Sequence, residues 1–166
     1  MDDQRMTTGH GAERVKKDDG LIQFRGGLDE LMALCNLLMV EYKRSTITYR
    51  CAKQVWERCQ ALFTKEYTGE RVTPIGYDMV GEDAREKSHD PLLHFGVPHF
   101  FGKAYGDEPL AKLNLLRVKA RQVERLAVAA FGEERADMVE ELNRLSSYIY
   151  CCMCIYEGNR NKRIEV

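Results

Sequence analysis

The feature that most constrains the fold of this chain is a regular apolar stripe in its last third. Between Glu108 and Phe131 the apolar positions step alternately by three and four residues: Leu113, Leu116, Ala120, Val123, Ala127 and Ala130. This spacing places them on one face of a helix and is typical of helices that pack side by side in a bundle. Gly132 follows directly and predicts the end of the helix. The stripe therefore favours an all-α fold.

Three further segments show helical periodicity, namely Leu28–Ser45, Tyr49–Tyr67 and Arg135–Tyr156. Each repeats apolar residues at intervals of three or four, so one face of each is expected to lie in the core. Asp83–Lys87 could add a short fifth helix, and no segment makes a convincing strand. The sequence predicts an all-α, up-and-down bundle of four to five helices, of the ferritin-like kind.

The remaining segments are expected to be irregular. Residues 1–26 are polar and rich in glycine, which indicates an irregular arm, and the charged residues 158–166 predict a flexible tail. Residues 69–108 contain no long periodic stretch, and a loop of that length is unusual unless it has a function. We expect residues 1–166 to form one domain with residues 69–108 near its active site.

The composition and the N-terminal residues argue against several function classes. The 166 residues carry a formal net charge of −1, and non-specific nucleic-acid binding requires a basic surface. The N-terminus is polar, and no apolar run is long enough to cross a bilayer. The six cysteines are expected to be reduced thiols. We therefore expect a cytoplasmic protein that binds neither nucleic acid nor membranes.

Three arginines on the most regular helix are candidates for anion binding. Arg117, Arg121 and Arg125 are spaced by four residues, so their like charges lie on one side of the helix and repel each other. Glu124 can pair with Arg121 or Arg117 but cannot neutralise all three. A bound polyphosphate could, because guanidinium groups bind phosphate oxygens bidentately. The alternative is an exposed charged face paired with acids of the next helix, which the spacing alone favours.

Two other polar positions have both a structural and a functional interpretation. Asn143, with Ser147 one turn later, could bind a ribose or a base edge, or make a polar contact between helices. Asp29 is predicted to lie in the first turn of a helix, where a carboxylate is an ordinary partner of the helix dipole. It could instead form an ion pair with an arginine of the Arg117 set across a subunit contact.

The N-terminal arm could contribute to a phosphate site through backbone amides and a lysine. The candidates are Thr8, Gly9, Gly11 and Lys17. The arm does not contain the Walker A pattern GxxxxGK[ST], so by itself it is a weak indication.

A cysteine cluster and a set of three histidines are candidate metal sites. Cys151, Cys152 and Cys154 have no partner CxxC pair elsewhere, so core cysteines are the favoured interpretation. His89, His94 and His99 step by five residues in the central loop. They could bind a metal or could order the loop, and the spacing does not decide between the two.

In their order along the chain, these motifs resemble the ATP:corrinoid adenosyltransferases of propanediol and ethanolamine utilisation, and most closely the ethanolamine branch. The matching blocks are Arg14-Val15 with Lys17-Asp18-Asp19 (RVxKD), Gly27–Leu31 (GxxDEL), Arg117 with Arg121, Glu124 and Arg125 (RxxxRxxER), Leu142–Ser146 (LNRLS), and Ser88–Phe100, which resembles the central loop of the ethanolamine branch. Each block is short, but together they span most of the chain in the family's order.

The resemblance implies a five-helix-bundle homotrimer with active sites at its subunit interfaces. Such an enzyme transfers the 5′-deoxyadenosyl group of ATP to the Co(I) of reduced cobalamin and releases triphosphate. It further implies Mg²⁺ with the ATP, a flavin-type reductant, a cobalamin-dependent acceptor enzyme, and a cytoplasmic location in which a bacterial microcompartment is one option. The alternative is a non-enzymatic helical module that binds a nucleotide or corrinoid and delivers it; a third option is a purely structural bundle.

The resemblance also assigns roles to individual residues. The phosphates would be contacted by the arm, through Thr8, Gly9, Gly11 and Lys17. Arg117 and Arg121 would hold the triphosphate, Asn143 would hold the nucleotide, and Asp29 would pair with Arg117 across the interface. Phe95 corresponds to the hydrophobic residue that displaces the lower axial ligand of cobalamin, with Phe100 and Phe101 as alternatives.

The chain also departs from the family pattern. The usual TGDxGxT phosphate arm is shortened to Thr8–Gly11, and Ser147 stands where many members have aspartate. Some members of the ethanolamine branch carry a His-x11-CCxxC metal motif in mid-chain. No cysteine lies between Cys59 and Cys151, so that metal site is not predicted.

Overall fold

A computed structural model describes residues 4–9, 13–100 and 106–164 and shows a helical bundle. Its elements are β1 (Met6–Thr8), β2 (Arg14–Lys16), α1 (Gly20–Glu41), α2 (Ile47–Thr68), α3 (Ala84–His89), α4 (Pro91–Phe95), α5 (Glu108–Phe131) and α6 (Ala136–Ile164). The four long helices α1, α2, α5 and α6 form the body of the bundle. The predicted all-α class is confirmed. None of the helices in the described ranges is long and apolar enough to cross a membrane.

Helix α5 is one of the four long helices and has the predicted bounds. It packs mainly against α6 and α1, and all members of its apolar stripe except Ala130 are buried. Asp107 caps its first turn by accepting a hydrogen bond from the Leu110 backbone N–H at 3.1 Å. Gly132 ends the helix with a φ of 54°. The regular stripe thus identified both the helix and its buried face.

Helix α1 begins at Gly20, eight residues earlier than predicted, so the interpretation of residues 1–26 as an irregular arm is wrong for the later part of that range. Asp19 caps the helix, and its carboxylate accepts from Leu21 N at 2.9 Å. Of the two glycines inside the helix, Gly27 lies where α5 is very close, whereas a Cβ on Gly26 would have nothing within 4 Å. A Cβ on Gly27 would lie 2.7 Å from Leu126 Cδ1. Close packing therefore outweighs the helix cost of glycine, about 1 kcal/mol.

The first part of the arm is a β-hairpin, which corrects the prediction that the chain has no strand. Strands β1 and β2 pair antiparallel, with Thr7 opposite Val15. The strands are three residues long and mostly polar, so their sequence shows no alternation that could predict them.

The ends of α2 and α6 also differ from the prediction. Helix α2 extends Tyr49–Tyr67 by a few residues, because Thr46 caps it and Gly69 ends it with a φ of 74°. Helix α6 continues to Ile164, so the predicted flexible tail is helical as far as that residue. Tyr156 contributes to this extension, since its hydroxyl donates to Asp107 Oδ2 at 3.1 Å and holds the end of α6 against the start of α5.

The segment 69–108 is more ordered than a long loop. It contains α3, close to the predicted Asp83–Lys87, and also α4, which was not predicted. Pro91 at the helix start and Asp90 as its cap are ordinary initiation signals, and Asp90 Oδ1 accepts from Leu93 N at 3.1 Å. Before α3, the Tyr77 hydroxyl donates to Glu141 Oε1 at 2.9 Å and ties the segment to α6.

All six cysteines are buried free thiols, which confirms the prediction of core cysteines for the cluster at Cys151–Cys154. Burial raises the pKa of Cys154 to about 12 and that of Cys35 to about 12. At neutral pH these thiols are therefore protonated, apolar-type core groups rather than nucleophiles.

Asp137 in the first turn of α6 joins that helix to the chain after α2. Its carboxylate pairs with Arg135 at 3.2 Å and Arg71 at 3.0 Å, and it accepts from Val72 N at 2.7 Å. Burial alone would raise the pKa of this carboxyl, but the three donors outweigh burial and hold the pKa at about 2, below the ordinary 3.8.

We expect Asp137→Asn to destabilise the protein in a pH-dependent way. The unfolded carboxyl binds its proton at higher pH than the folded one, so the stabilisation is complete above about pH 4 and is lost as pH falls to about 2. The shift corresponds to about 2 kcal/mol at neutral pH. Urea unfolding of both proteins across this range measures it. A difference in free energy of unfolding that stays constant with pH would contradict the assignment.

Candidate functional site

A cavity of about 290 Å³ lies between α3, α5, α6 and the residues after α4. We call it the arginine cavity. Its lining is polar and basic, and consists of Arg85, Ser88, His89, His99, Arg117, Arg121, Asn143, Ser146, Ser147 and Tyr150. Three of the predicted ATP-binding residues, Arg117, Arg121 and Asn143, are therefore brought together.

Arg117 is the best-oriented of the predicted arginines. It is half-buried, and its Nε and Nη2 donate to Asn114 Oδ1 at 3.2 and 3.1 Å, one turn earlier on α5. This bidentate contact holds the guanidinium plane in place. Arg121 lies one turn further along at the same cavity and is exposed, whereas Arg125 is exposed and outside the cavity lining. Two guanidiniums one helical turn apart at the same cavity can bind a polyphosphate.

Asn143 projects from α6 into the same cavity. Its Nδ2 donates to Glu124 Oε1 at 2.9 Å, which joins α5 to α6 and orients the amide. Sequence reasoning considered Glu124 as a partner for the arginines, and the structure shows it as the acceptor for Asn143. Ser147, at the position where many family members have aspartate, also lines the cavity. The lining therefore lacks a carboxylate there.

His99 attaches the chain after α4 to the edge of the cavity. Its Nε2 lies 3.0 Å from His89 O and must donate there, because a carbonyl oxygen only accepts. In the neutral ring Nδ1 then accepts from the Tyr150 hydroxyl at 3.1 Å, and the two rings stack with an interplanar angle of 8°. These contacts favour loop ordering as the role of His99. Within the described residues no group of three or more His, Cys, Asp or Glu could hold a metal ion.

The candidate cobalamin-contacting phenylalanines differ in exposure. Phe95 ends α4 and is half-buried, whereas Phe100 is buried and packs its ring 5.5 Å from that of Tyr150. Phe101 lies outside the described residues. Phe95 is therefore the more accessible of the two that can be compared. Its backbone lies close to α6, where a Cβ on Gly158 would be 3.0 Å from Phe95 O.

Asp29 does not line the arginine cavity. It is exposed in the third turn of α1, so the interpretation of a first-turn dipole partner is wrong, because the helix begins nine residues before it. It lines a groove of about 760 Å³ between α1 and α2, together with Arg25, Met32, Trp56 and other residues. This groove is separate from the arginine cavity, so Asp29 and Arg117 line different surfaces of one chain.

The arm residues lie close to the Asp29 groove through Arg25. Gly9 is buried, and its carbonyl accepts from Arg25 Nη1 at 3.1 Å. Thr8 is exposed at the end of β1, and exposed Lys17 lines a groove of the hairpin. Gly11 lies outside the described residues. The arm and Asp29 thus belong to one region of the surface and the arginine cavity to another.

Sequence reasoning missed two features of these surfaces. Arg85 lines the arginine cavity, but it is a single arginine on a six-residue helix without periodicity. Arg25 forms a bidentate ion pair with Glu66 at 2.8 and 3.1 Å, which joins α1 to α2, and its Nη1 also donates to Gly9 O in the arm. The two residues are 41 positions apart, and no local pattern connects them.

Comparison with known proteins identifies the family of the chain. Residues 1–156 match the family model described as cobalamin adenosyltransferase. The chain belongs to that family, which confirms the resemblance noted in the sequence.

Among its relatives are proteins named corrinoid adenosyltransferase EutT. The one from Escherichia coli (strain K12) is 30% identical over 150 residues, and the match covers 85% of this chain and 54% of that protein. The one from Salmonella typhimurium (strain LT2) is 29% identical over 147 residues, with the same coverage of both chains. The chain spans about half the length of the curated relatives it matches.

Proposed function

We propose that the protein transfers the 5′-deoxyadenosyl group of ATP to the Co(I) of a reduced corrinoid. The observation that carries this proposal is the arginine cavity. It combines Arg117, Arg121 and Asn143 in a chain of the cobalamin adenosyltransferase family, and none of the described residues that line it is a carboxylate. Such a lining fits a nucleotide polyphosphate, with an amide for the nucleoside and guanidiniums for the phosphates.

The reaction needs little proton chemistry from the protein. The lone pair of Co(I) attacks C5′ of ATP, the cobalt–carbon bond forms, and the C5′–O5′ bond breaks with its electron pair leaving on triphosphate. The nucleophile is supplied by the corrinoid, so no general base is required. Arg117 and Arg121 would stabilise the charge that develops on the leaving triphosphate. The protein would otherwise align the reactants and exclude water.

A second copy of the chain is part of the proposal. Asp29 and the arm lie on one region of the surface, and the arginine cavity lies on another. A homotrimer would let Asp29 of one subunit pair with Arg117 of the next, and would complete each active site from two chains. The apolar side chains of Met32 and Trp56 beside Asp29 suit such a contact.

The phosphates would also contact the arm. Lys17 supplies an exposed ammonium group, and Thr8 is exposed on the hairpin. Gly9 is buried, and its N–H donates to Glu13 O at 2.8 Å, so a phosphate contact through this amide would require the hairpin to rearrange. Mg²⁺ enters the proposal as the ion that accompanies ATP, held by phosphate oxygens. A flavin-type reductant and a cobalamin-dependent acceptor enzyme would act before and after this step. We assign the activity to ethanolamine utilisation on the basis of the branch that the motifs resemble.

One reaction separates this proposal from its alternatives. The protein is incubated with ATP and chemically reduced cobalamin, and the cobalt–carbon bond is followed by absorbance. We expect adenosylcobalamin to form. Binding of ATP without product would favour a delivery module for nucleotide or corrinoid. Failure to bind ATP would leave only a structural bundle.

We expect Phe95→Ala to slow turnover that starts from Co(II) cobalamin much more than turnover that starts from Co(I) cobalamin. Removing the lower axial ligand makes Co(II) easier to reduce to Co(I). Cobalamin that is already Co(I) does not require this reduction. Turnover from Co(II) with a reductant should fall at least about tenfold further than turnover from Co(I), which corresponds to about 1.4 kcal/mol.

Phe100→Ala is the matched comparison for this experiment. Its ring is buried against Tyr150, so it should lower the free energy of unfolding by about 3 kcal/mol and affect both starting states equally. Equal losses from both starting states in Phe95→Ala would exclude ligand displacement as the role of Phe95.

A further inference from the structure

The arginine cavity contains a third guanidinium that the sequence motifs do not include. Arg85 on α3 lines the cavity together with Arg117 and Arg121. The imidazoles of His89 and His99 belong to the same wall, and no Asp or Glu is among the described residues that line it. Three guanidiniums at one cavity favour an anionic ligand there.

The position of Arg85 is set by the packing of α3 against α6. Its neighbour Ala84 is fully buried, and Ser88, one turn later, is 7% exposed. Cys151 Sγ on α6 donates to Ala84 O at 3.3 Å, so the backbone at the start of α3 is fixed. Arg85, which is exposed, therefore lines the cavity from a helix whose backbone is anchored.

Carboxylates lie nearby, but Arg85 does not pair with them. The adjoining depression is lined by Arg85 and by four acidic residues, Glu82, Asp83, Glu86 and Glu140. Across the described parts of the chain, Arg85 forms no ion pair with any carboxylate. The repulsion among three neighbouring guanidiniums is thus not relieved by an internal partner at Arg85, and a ligand anion would relieve it.

We propose that Arg85 binds the polyphosphate of ATP together with Arg117 and Arg121. This inference rests on the function proposed above and names a further binding residue for it. Arg85 exchanges no proton. Its planar guanidinium, with paired N–H donors, would stabilise the negative charge that builds on the leaving triphosphate. The same central segment also carries Phe95, so it would contact the nucleotide through α3 and the corrinoid through α4.

The test uses inorganic triphosphate and adenosine as separate probes, with binding measured calorimetrically on the full chain. Arg85→Gln should weaken triphosphate binding by about 10- to 100-fold, the range for a hydrogen bond between charged groups. Adenosine binding should not change. Arg85→Lys should recover part of the lost triphosphate affinity, because lysine restores the positive charge without the bidentate N–H pair of a guanidinium. Arg50→Gln is the control, since Arg50 lies on α2 and pairs with Asp78 at the surface.

Steady-state kinetics gives a second readout. Arg85→Gln should raise the KM for ATP and leave the KM for cobalamin unchanged, with an unaltered thermal midpoint. Unchanged triphosphate binding in Arg85→Gln, or a rise only in the KM for cobalamin, would overturn the assignment of Arg85. These results are distinct from failure of the proposed function, in which the unmodified protein itself would bind no triphosphate and form no adenosylcobalamin.

Discussion

Replacing Arg117 by alanine is expected to lower kcat/KM for ATP by about 10²- to 10³-fold, the usual cost of removing one donor from a site of developing negative charge. The guanidinium of Arg117 is half-buried, held by Asn114, and lines the arginine cavity. Arg117→Ala removes the positive charge that would stabilise the leaving triphosphate. It leaves the apolar stripe of α5 intact. The thermal midpoint should therefore stay close to that of the unmodified protein.

The control for Arg117→Ala is Arg50→Ala. Arg50 pairs with Asp78 at the surface of the chain, and exposed pairs of this kind contribute about 1 kcal/mol or less. Arg50→Ala should retain full turnover. If Arg117→Ala instead lost activity in proportion to stability, Arg117 would be a structural ion-pairing residue.

A mixing experiment extends the same prediction to the subunit contact. Asp29→Asn and Arg117→Ala should each be nearly inactive alone. If every site takes Asp29 from one copy and Arg117 from another, co-assembled mixtures contain some sites with both residues and should regain partial activity. Mixtures that stay inactive despite forming mixed oligomers would place both residues in the site of one chain.

Glu66→Ala is expected to lower the free energy of unfolding by about 3–5 kcal/mol, the usual cost of removing one partner from a buried ion pair. The side chains of Arg25 and Glu66 are 16% and 1% exposed, and they form two hydrogen bonds of 2.8 and 3.1 Å. Without Glu66 the guanidinium loses its counterion in a largely buried position. Urea unfolding gives the free energy directly.

The matched control for this variant is Glu57→Ala. Glu57 pairs with Lys53 one turn away on the exposed face of α2, so its loss should cost about 0.5 kcal/mol or less. A cost for Glu66→Ala as small as that of Glu57→Ala would contradict the assigned burial of the pair.

The double variant Arg25→Leu/Glu66→Leu separates stability from function. Replacing both members of a buried pair by apolar residues is often neutral or stabilising. Much of the lost stability should therefore return. The double variant lacks the hydrogen bond from Arg25 to Gly9 O, so its KM for ATP should be higher than that of the unmodified protein. An unchanged KM would show that Arg25 does not orient the arm.

The sequence predicted those parts of the fold that depend on local periodicity and local capping. The stripe from Leu113 to Ala127 identified α5 with its exact bounds, because burial on one side of a long helix leaves a regular pattern. Gly20 and Gly27 misled the prediction for α1, because glycine there serves the close approach of α5 rather than a break in the chain. Contacts between distant segments decide such positions, and a single sequence does not show them.

The same distinction applies to the candidate site. Arg117, Arg121 and Asn143 could be singled out because they occur in spaced motifs on regular helices, and the structure brings them to one cavity. Arg85 could not, because its place in that cavity follows from the packing of α3 on α6. The pairing of Arg25 with Glu66 likewise follows from tertiary structure alone.

The most direct test of the account follows the atoms of ATP through a single turnover. ATP labelled at C5′ is mixed with the protein and pre-formed Co(I) cobalamin under anaerobic conditions. We predict that the label appears in adenosylcobalamin, and that one intact triphosphate is released for each cobalt–carbon bond formed. Release of phosphate with ADP, or ATP that stays bound and unchanged beside Co(I), would contradict adenosyl transfer by this chain.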